Sequence, residues 1–122
     1  MSRVLIVDDE PHLRLLYETE LRRAGHDTFS AGDAVQGLEI VQTMKPDLVV
    51  MDIRMAGMDG IEALQQILDR DASIPVILNT AYTSYKDNYM TWAADAYVVK
   101  SADVTELVET VQDVLVKRHA TS

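Results

Sequence analysis

Several apolar runs in this 122-residue chain end in residues able to do chemistry. The run Val4 to Val7 leads into Asp8 and Asp9, Asp47 to Met51 into Asp52, Pro75 to Leu78 into Asn79 and Thr80, and Ala96 to Val99 into Lys100. Carboxylates brought together repel one another, and some hold a proton unless a divalent cation neutralises them. Oxygen donors with no His or Cys among them select a hard ion, and Mg²⁺ is the abundant one that tolerates partial water ligation. A carboxylate in such a site can also act as a nucleophile and form an aspartyl-phosphate. Phosphoryl transfer then needs positioned positive charge on the equatorial oxygens, which Mg²⁺ and Lys100 could supply, with the Thr80 hydroxyl as a donor. Taken singly, an Asp at a strand end is more often a helix cap and a lysine more often a surface charge. The joint pattern carries the argument.

These residues act together only if the runs are neighbouring strands. Helical patterns separate them: Leu13, Leu16, Leu21 and Ala24 between Pro11 and Gly25, then Asp33 to about Met44, then Ile61, Leu64, Ile67 and Leu68. A weaker strand, Asp27 to Ala31, follows the first helix. Val104, Leu107, Val108, Val111, Val114 and Leu115 make one stripe on the last helix, with Asp103 and Glu106 placed as a capping pair. Strand and helix in alternation with short links predict a parallel sheet covered by helices on both faces, and ligands of such sheets bind outside the carboxyl ends of the strands.

Composition narrows the class. Eleven Lys and Arg against twenty Asp and Glu leave a net charge of −9, a field that repels phosphate backbones and anionic membranes, so direct nucleic-acid binding is disfavoured. With no cysteine there is no disulfide framework, thiolate zinc site or thiol nucleophile. The N-terminal apolar run is too short for a signal-peptide core and nothing approaches a membrane span, so a cytoplasmic protein is expected.

The motifs Leu5-Ile6-Val7-Asp8-Asp9-Glu10, Met51-Asp52-Ile53-Arg54-Met55-Ala56-Gly57-Met58-Asp59-Gly60, Thr80-Ala81 and Tyr97-Val98-Val99-Lys100 together resemble the receiver domain of bacterial two-component response regulators. The resemblance covers roughly Arg3 to Lys117 and implies a flavodoxin-like, doubly wound α/β fold, five parallel strands in the order 2-1-3-4-5 with five helices. It implies Asp52 as phosphoacceptor, Asp9 as a direct Mg²⁺ ligand, Asp8 as a ligand through water, and the Arg54 carbonyl as a further ligand. Thr80 and Lys100 would bind the phosphoryl group, and Tyr97 would swing inward on activation. The implied protein is a stand-alone single receiver domain over residues 1–122, with His119 to Ser122 as a frayed tail. It would be phosphorylated by a histidine kinase or phosphotransfer domain, catalyse only its own phosphorylation and dephosphorylation, and act by partner binding or phosphorelay. A downstream partner would dock on the face of helix four, strand five and helix five.

Three other readings stand beside this one, the first a receiver-like interaction module that is never phosphorylated, against which the retained Asp52 and Lys100 count. A receiver cut from a longer regulator would have the same sequence features. A Mg²⁺-dependent phosphatase with an aspartyl intermediate would place an Asp-x-Asp pair after strand one, whereas this chain has Asp8-Asp9.

The chain departs from the family pattern in three places. Ala56 stands where Pro is usual, and Ser101 instead of Pro follows Lys100. A cis bond before Ser101 would cost about 3 to 4 kcal/mol, so trans is expected there. Lys100 lies 20 positions after Thr80, a shorter span than usual, so the fourth helix should be short or irregular. Tyr82, Tyr85, Tyr89 and Trp92 recur at helical spacing there, and an aromatic face packed on the sheet is favoured over a partner surface. Asp59 and Glu10 look structural, and His12, His26 and His119 look like solvated residues. Arg54 and Tyr82 follow Asp52 and Thr80 by two positions, where side chains flank the approach of water in receivers. Both are large and ill-suited to orienting a water, which predicts a phosphoryl group lasting minutes to hours.

Overall fold

The computed structural model describes residues 2–84 and 89–121. Strand β1 (Arg3–Val7) leads to helix α1 (Pro11–Arg23), β2 (Asp27–Ala31) to α2 (Ala34–Met44), and β3 (Leu48–Met51) to α3 (Gly60–Arg70). After β4 (Val76–Thr80) come a 3₁₀ turn (Tyr89–Ala93), β5 (Ala96–Val99) and α4 (Thr105–Thr121). All strand pairs are parallel, in the order β2-β1-β3-β4-β5.

Successive side chains of a strand point to opposite faces, so a strand covered on both sides is apolar throughout. Leu5, Val7, Val49, Met51, Val76 and Leu78 pack in one cluster with Leu38 and Val41 of α2 and Leu64 and Ile67 of α3. Val4, Ile6, Leu48, Val50, Ile77 and Val98 pack in a second cluster with Tyr17 and Leu21 of α1 and Leu107 and Val111 of α4. The close fit of α2 on β1 depends on Gly37, where a Cβ would stand 2.8 Å from a Val7 methyl.

Local signals set the helix ends. Asp33 and Asp59 accept hydrogen bonds from the backbone N–H of Gln36 (2.8 Å) and Glu62 (2.9 Å), capping α2 and α3. Helix α1 begins on Pro11 and ends in a left-handed Gly25 (φ +99°), with Gly25 N donating to Arg22 O and His26 N to Leu21 O. This paired arrangement satisfies the last carbonyls of the helix.

Four expectations are corrected. Four α-helices are present among the described residues rather than five, because the link from β4 to β5 is short and rich in Tyr, Thr, Ser, Asp and Asn, all modest helix formers. The aromatic face expected there is not packed on the sheet: Trp92 is 73% exposed and Tyr82 is also exposed, while Tyr85 and the Tyr89 side chain lie outside the described residues. Asp103 does not pair with Glu106; its carboxylate accepts from Thr105 N–H and the Thr105 hydroxyl, a local turn that precedes α4. His26 is buried, because the position after the Gly25 turn folds against the end of α1. Helix α4 runs to Thr121.

Candidate functional site

The parallel register brings the strand ends to one edge: Val7 lies opposite Met51, Met51 opposite Leu78, and Thr80 opposite Val99. Backbone bonds continue past the strands, from Asp52 N to Val7 O (3.0 Å), Asp8 N to Ala31 O (3.2 Å) and Lys100 N to Thr80 O (2.7 Å). The carboxylates and the ammonium therefore sit on the fixed part of the scaffold. Among the described residues no peptide bond is cis.

Lys100 Nζ lies 2.8 Å from Asp8 Oδ2 and 3.0 Å from Asp52 Oδ2. Asp8 is 2% exposed and Asp52 6%, so this clamp is shielded from solvent. The other Asp8 oxygen accepts from Glu10 N–H (3.0 Å), and Arg14 Nη1 donates to the Asp8 carbonyl (2.7 Å). Asp9 and Glu10 are exposed at the rim, where Asp8, Asp9 and Glu10 can each offer an oxygen within 4.8 Å of the others. Asp52 lies outside that trio and is joined to it through Lys100 and Asp8. The Thr80 hydroxyl is fully buried and has no hydrogen-bond partner among the described residues. A buried hydroxyl left unpaired at a cluster of charges calls for an explanation.

Burial pushes the Asp52 carboxyl above its ordinary range, against the opposing pull of Lys100. Burial also disfavours the charged form of Lys100, but its hydrogen bonds to Asp8 and Asp52 prevail and raise its pKa. The ammonium is thus held charged between two carboxylates, one of which is reluctant to ionise. Behind them, burial raises the pKa of the Tyr17 hydroxyl, against the opposing pull of the Asn79 side chain.

The loop after β3 is held by Gly60, whose N–H donates to Ile53 O (2.8 Å) and whose missing side chain lets it lie against Asp52; a Cβ would stand 1.9 Å from the Asp52 carbonyl oxygen. Gly57 takes a left-handed φ of +80° in the same loop, beside Ala56. Arg54 is exposed and stacks its guanidinium 4.7 Å from the centre of the Tyr82 ring. Both line a cavity of about 300 Å³ with Asp9, Glu10, Asp52 and Lys100. A groove of about 710 Å³ beside it is bordered by Asp9, Asp33 and Glu39 but reaches none of Asp52, Thr80 and Lys100. Tyr97 is half-buried against the core and donates its hydroxyl to the Tyr82 carbonyl.

The structure therefore brings Asp8, Asp52 and Lys100 into contact, with Asp9 and Arg54 at the rim and Thr80 buried at the end of β4. Sequence reasoning assigned Glu10 a structural place, although it joins the acidic trio; its adjacency to Asp8 and Asp9 was the available signal. Arg14 was missed, because nothing in a helical arginine indicates a bond to a carbonyl in the preceding loop. His12 is exposed and pairs with Glu10 at 3.4 Å.

The chain is 38% identical over 117 residues to the regulatory protein AtoC of Escherichia coli, covering 94% of this chain and 25% of that one. It is 42% identical over 81 residues to sporulation initiation phosphotransferase F of Bacillus subtilis, covering 66% of this chain and 65% of that one. The chain thus spans less than two thirds of the length of these curated relatives. The response regulator protein TrrA of Thermotoga maritima, solved in complex with Mg²⁺-BeF, superposes with a TM-score of 0.91 at 38% identity over 93% of this chain and 99% of that one. The same protein in complex with the histidine kinase ThkA gives 0.88 at 39% identity, over 94% and 99%. Residues 4–112 match the family described as the response regulator receiver domain, with the acidic pair, the buried aspartate, the threonine and the lysine all in that span; the chain belongs to this family.

Proposed function

We propose that this chain is a phosphoacceptor signalling switch, phosphorylated on Asp52 in a Mg²⁺-dependent reaction from a histidine kinase or phosphotransfer domain. The observation that carries this is the Lys100 ammonium clamped between Asp8 and Asp52, with the buried Thr80 hydroxyl at the end of the neighbouring strand left without a partner among the described residues. TrrA in its complexes with Mg²⁺-BeF and with a histidine kinase supports the same reading.

The donors at the site fit a hard divalent cation: they are oxygens only, Asp8, Asp9 and Glu10 can each offer one within 4.8 Å of the others, Asp8 shares the Lys100 ammonium with Asp52, and one ammonium does not cancel the net charge. Asp8, Asp9, Asp52 and the Arg54 carbonyl would hold it, and it would supply positive charge to the phosphoryl oxygens. Asp52 acts as the nucleophile through a carboxyl oxygen, replacing the donor group on phosphorus. Lys100 then shifts its charge from the carboxylate pair to a phosphoryl oxygen, and Thr80 gains the acceptor that its buried hydroxyl lacks. Tyr97 and Thr80, on neighbouring strands, form the switch that reports the event. In this reading residues 1–122 are a single receiver domain of the cytoplasm, signalling through β5 and the elements beside it or by passing the phosphoryl group onward. Among the described residues no helix is long and apolar enough to cross a membrane.

Acetyl phosphate with Mg²⁺ should add one phosphoryl mass to the chain and none to Asp52→Ala, and Asp9→Ala should bind Mg²⁺ more weakly. Full labelling of Asp52→Ala would overturn the assignment.

A further inference from the structure

Asp8 is bonded through its N–H, both carboxylate oxygens and its carbonyl. Its N–H donates to Ala31 O (3.2 Å), one carboxylate oxygen accepts from Glu10 N–H (3.0 Å), and the other meets Lys100 Nζ (2.8 Å). Its carbonyl accepts from Arg14 Nη1 (2.7 Å), and only this bond acts on the peptide that joins Asp8 to Asp9. Asp9 is exposed, so little packing fixes its carboxylate, and the plane of that peptide sets the direction in which the side chain leaves the backbone. Arg14 reaches back to the loop because helical side chains lean toward the N-terminus, and it stands one turn into α1, its N–H bonded to Glu10 O (3.1 Å).

On its other side the Arg14 guanidinium lies against Gly32, where a Cβ would stand 3.3 Å from Nη1 and 3.7 Å from Cζ. That turn is itself fixed: Gly32 N–H donates to Gln36 Oε1 (3.0 Å), while Gln36 N–H donates to the Asp33 carboxylate (2.8 Å). The guanidinium therefore stands between a rigid turn and the Asp8 carbonyl. A hydrogen bond from a charged donor is also stronger than one between neutral groups.

We infer that Arg14 is a positioning residue of the divalent-cation site: by orienting the peptide between Asp8 and Asp9 it holds the Asp9 carboxylate where the cation takes it. This rests on the reading of Asp8 and Asp9 as ligands of Mg²⁺. Two effects of Arg14 on a cation oppose each other. As a charge alone, the guanidinium repels Mg²⁺, and removing it would tighten binding. As a positioning group it lowers the cost of ordering a ligand, and removing it weakens binding. The sign of the change in affinity therefore separates the two roles, and a held backbone carbonyl beside an exposed ligand places Arg14 in the second.

The test is a Mg²⁺ titration followed by amide NMR in the full chain and in Arg14→Met, Arg14→Gln, Arg23→Met, Asp9→Ala and the double variant Asp9→Ala/Arg14→Met. Spectra in EDTA check that each variant is folded, and there the Asp9 and Glu10 amide signals should move in both Arg14 variants before any metal is added. Arg14→Met and Arg14→Gln should each weaken Mg²⁺ binding about tenfold. Arg23→Met, which removes a charge from the exposed far end of α1, should bind as the parent chain does. In the Asp9→Ala background Arg14→Met should add less than about a twofold loss, because its effect passes through Asp9. Labelling by acetyl phosphate should then need about tenfold more Mg²⁺ for half its maximal rate in Arg14→Met, with the maximum itself kept at saturating Mg²⁺. Unchanged or tighter Mg²⁺ binding in the two Arg14 variants, an equal loss in Arg23→Met, or an undiminished loss alongside Asp9→Ala overturns the inference. No Mg²⁺ binding by the parent chain, or equal affinity in Asp9→Ala, instead overturns the metal-site reading on which it stands.

Discussion

The ammonium of Lys100 stands within 3.0 Å of two carboxylates that are almost wholly buried. Bringing such charges out of water is costly, and the cost is offset only while all three are present. Removing the lysine leaves Asp8 and Asp52 facing one another without a counter-charge. Lys100→Met should therefore lower stability by about 3 to 5 kcal/mol in metal-free buffer, with one carboxyl taking up a proton to relieve the repulsion. Added Mg²⁺ should restore much of that loss, since a cation bound at the carboxylates replaces the missing charge. Urea unfolding in EDTA and in Mg²⁺ measures both effects. A midpoint in EDTA equal to that of the parent chain would show that the clamp contributes nothing to folding. At this scale the sequence marked Asp8, Asp52, Thr80 and Lys100 by their positions after apolar runs. It did not mark which oxygens would share the ammonium, nor that the Thr80 hydroxyl would be left unpaired.

Each of these side chains is placed by an element, and the loop between β3 and α3 shows how closely. The chain must turn back so that α3 starts against the residue that ends β3, and Gly60 permits it by having no side chain. Gly60→Ala would press a methyl group into the Asp52 carbonyl, where the obstacle is backbone and cannot swing aside. The expected cost is about 3 kcal/mol or more, together with reduced phosphate incorporation as Asp52 is displaced. Gly57→Ala meets no atom within 4 Å and bears only the strain of a left-handed φ, about 1 to 2 kcal/mol. Denaturant midpoints of the two variants should thus differ clearly. Equal midpoints would show that the loop yields at Gly60 without loss. Both glycines were visible in the motif, but only the fold distinguishes a steric requirement from a conformational one. Between β4 and β5 the short span pointed to a short or irregular helix, and among the described residues a 3₁₀ turn over Tyr89–Ala93 stands there, in a stretch of weak helix formers.

The molecule as a whole carries a titratable group far from the carboxyl edge of the sheet. His26 is buried with both ring nitrogens unpartnered among the described residues. Burial first, and the positive N-terminus second, hold its pKa below the ordinary 6.5. A depressed folded pKa means that protons bind the unfolded chain more readily. Above pH 6.5 both states are neutral and nothing is lost; as pH falls below 6.5 the unfolded chain protonates first, and stability declines until the folded pKa is reached. Melting temperature should therefore fall between pH 7 and pH 5.5, and His26→Leu should flatten that part of the curve. Parallel curves for the two proteins would rule out His26 as the source.

Local physics was legible in the sequence: the alternating periods, the strand ends, and the end of the first helix at Gly25. Each depends on residues within a few positions of one another, where backbone geometry is nearly independent of the rest of the chain. The fold class followed because apolar strands alternating with amphipathic helices have few ways to bury themselves. Tertiary structure alone decided that Lys100 bridges Asp8 and Asp52, that Glu10 joins the rim, that Arg14 holds the Asp8 carbonyl, and that His26 is buried. It alone placed the Tyr97 hydroxyl on Tyr82 and the Tyr82 ring on Arg54. The contacts of Lys100, Tyr97 and Arg54 join residues far apart in the chain, and a hydrogen bond or a stacked pair tolerates errors of only about half an ångström. Register, strand twist and loop closure combine to set distances on that scale, and no short window of sequence contains them all.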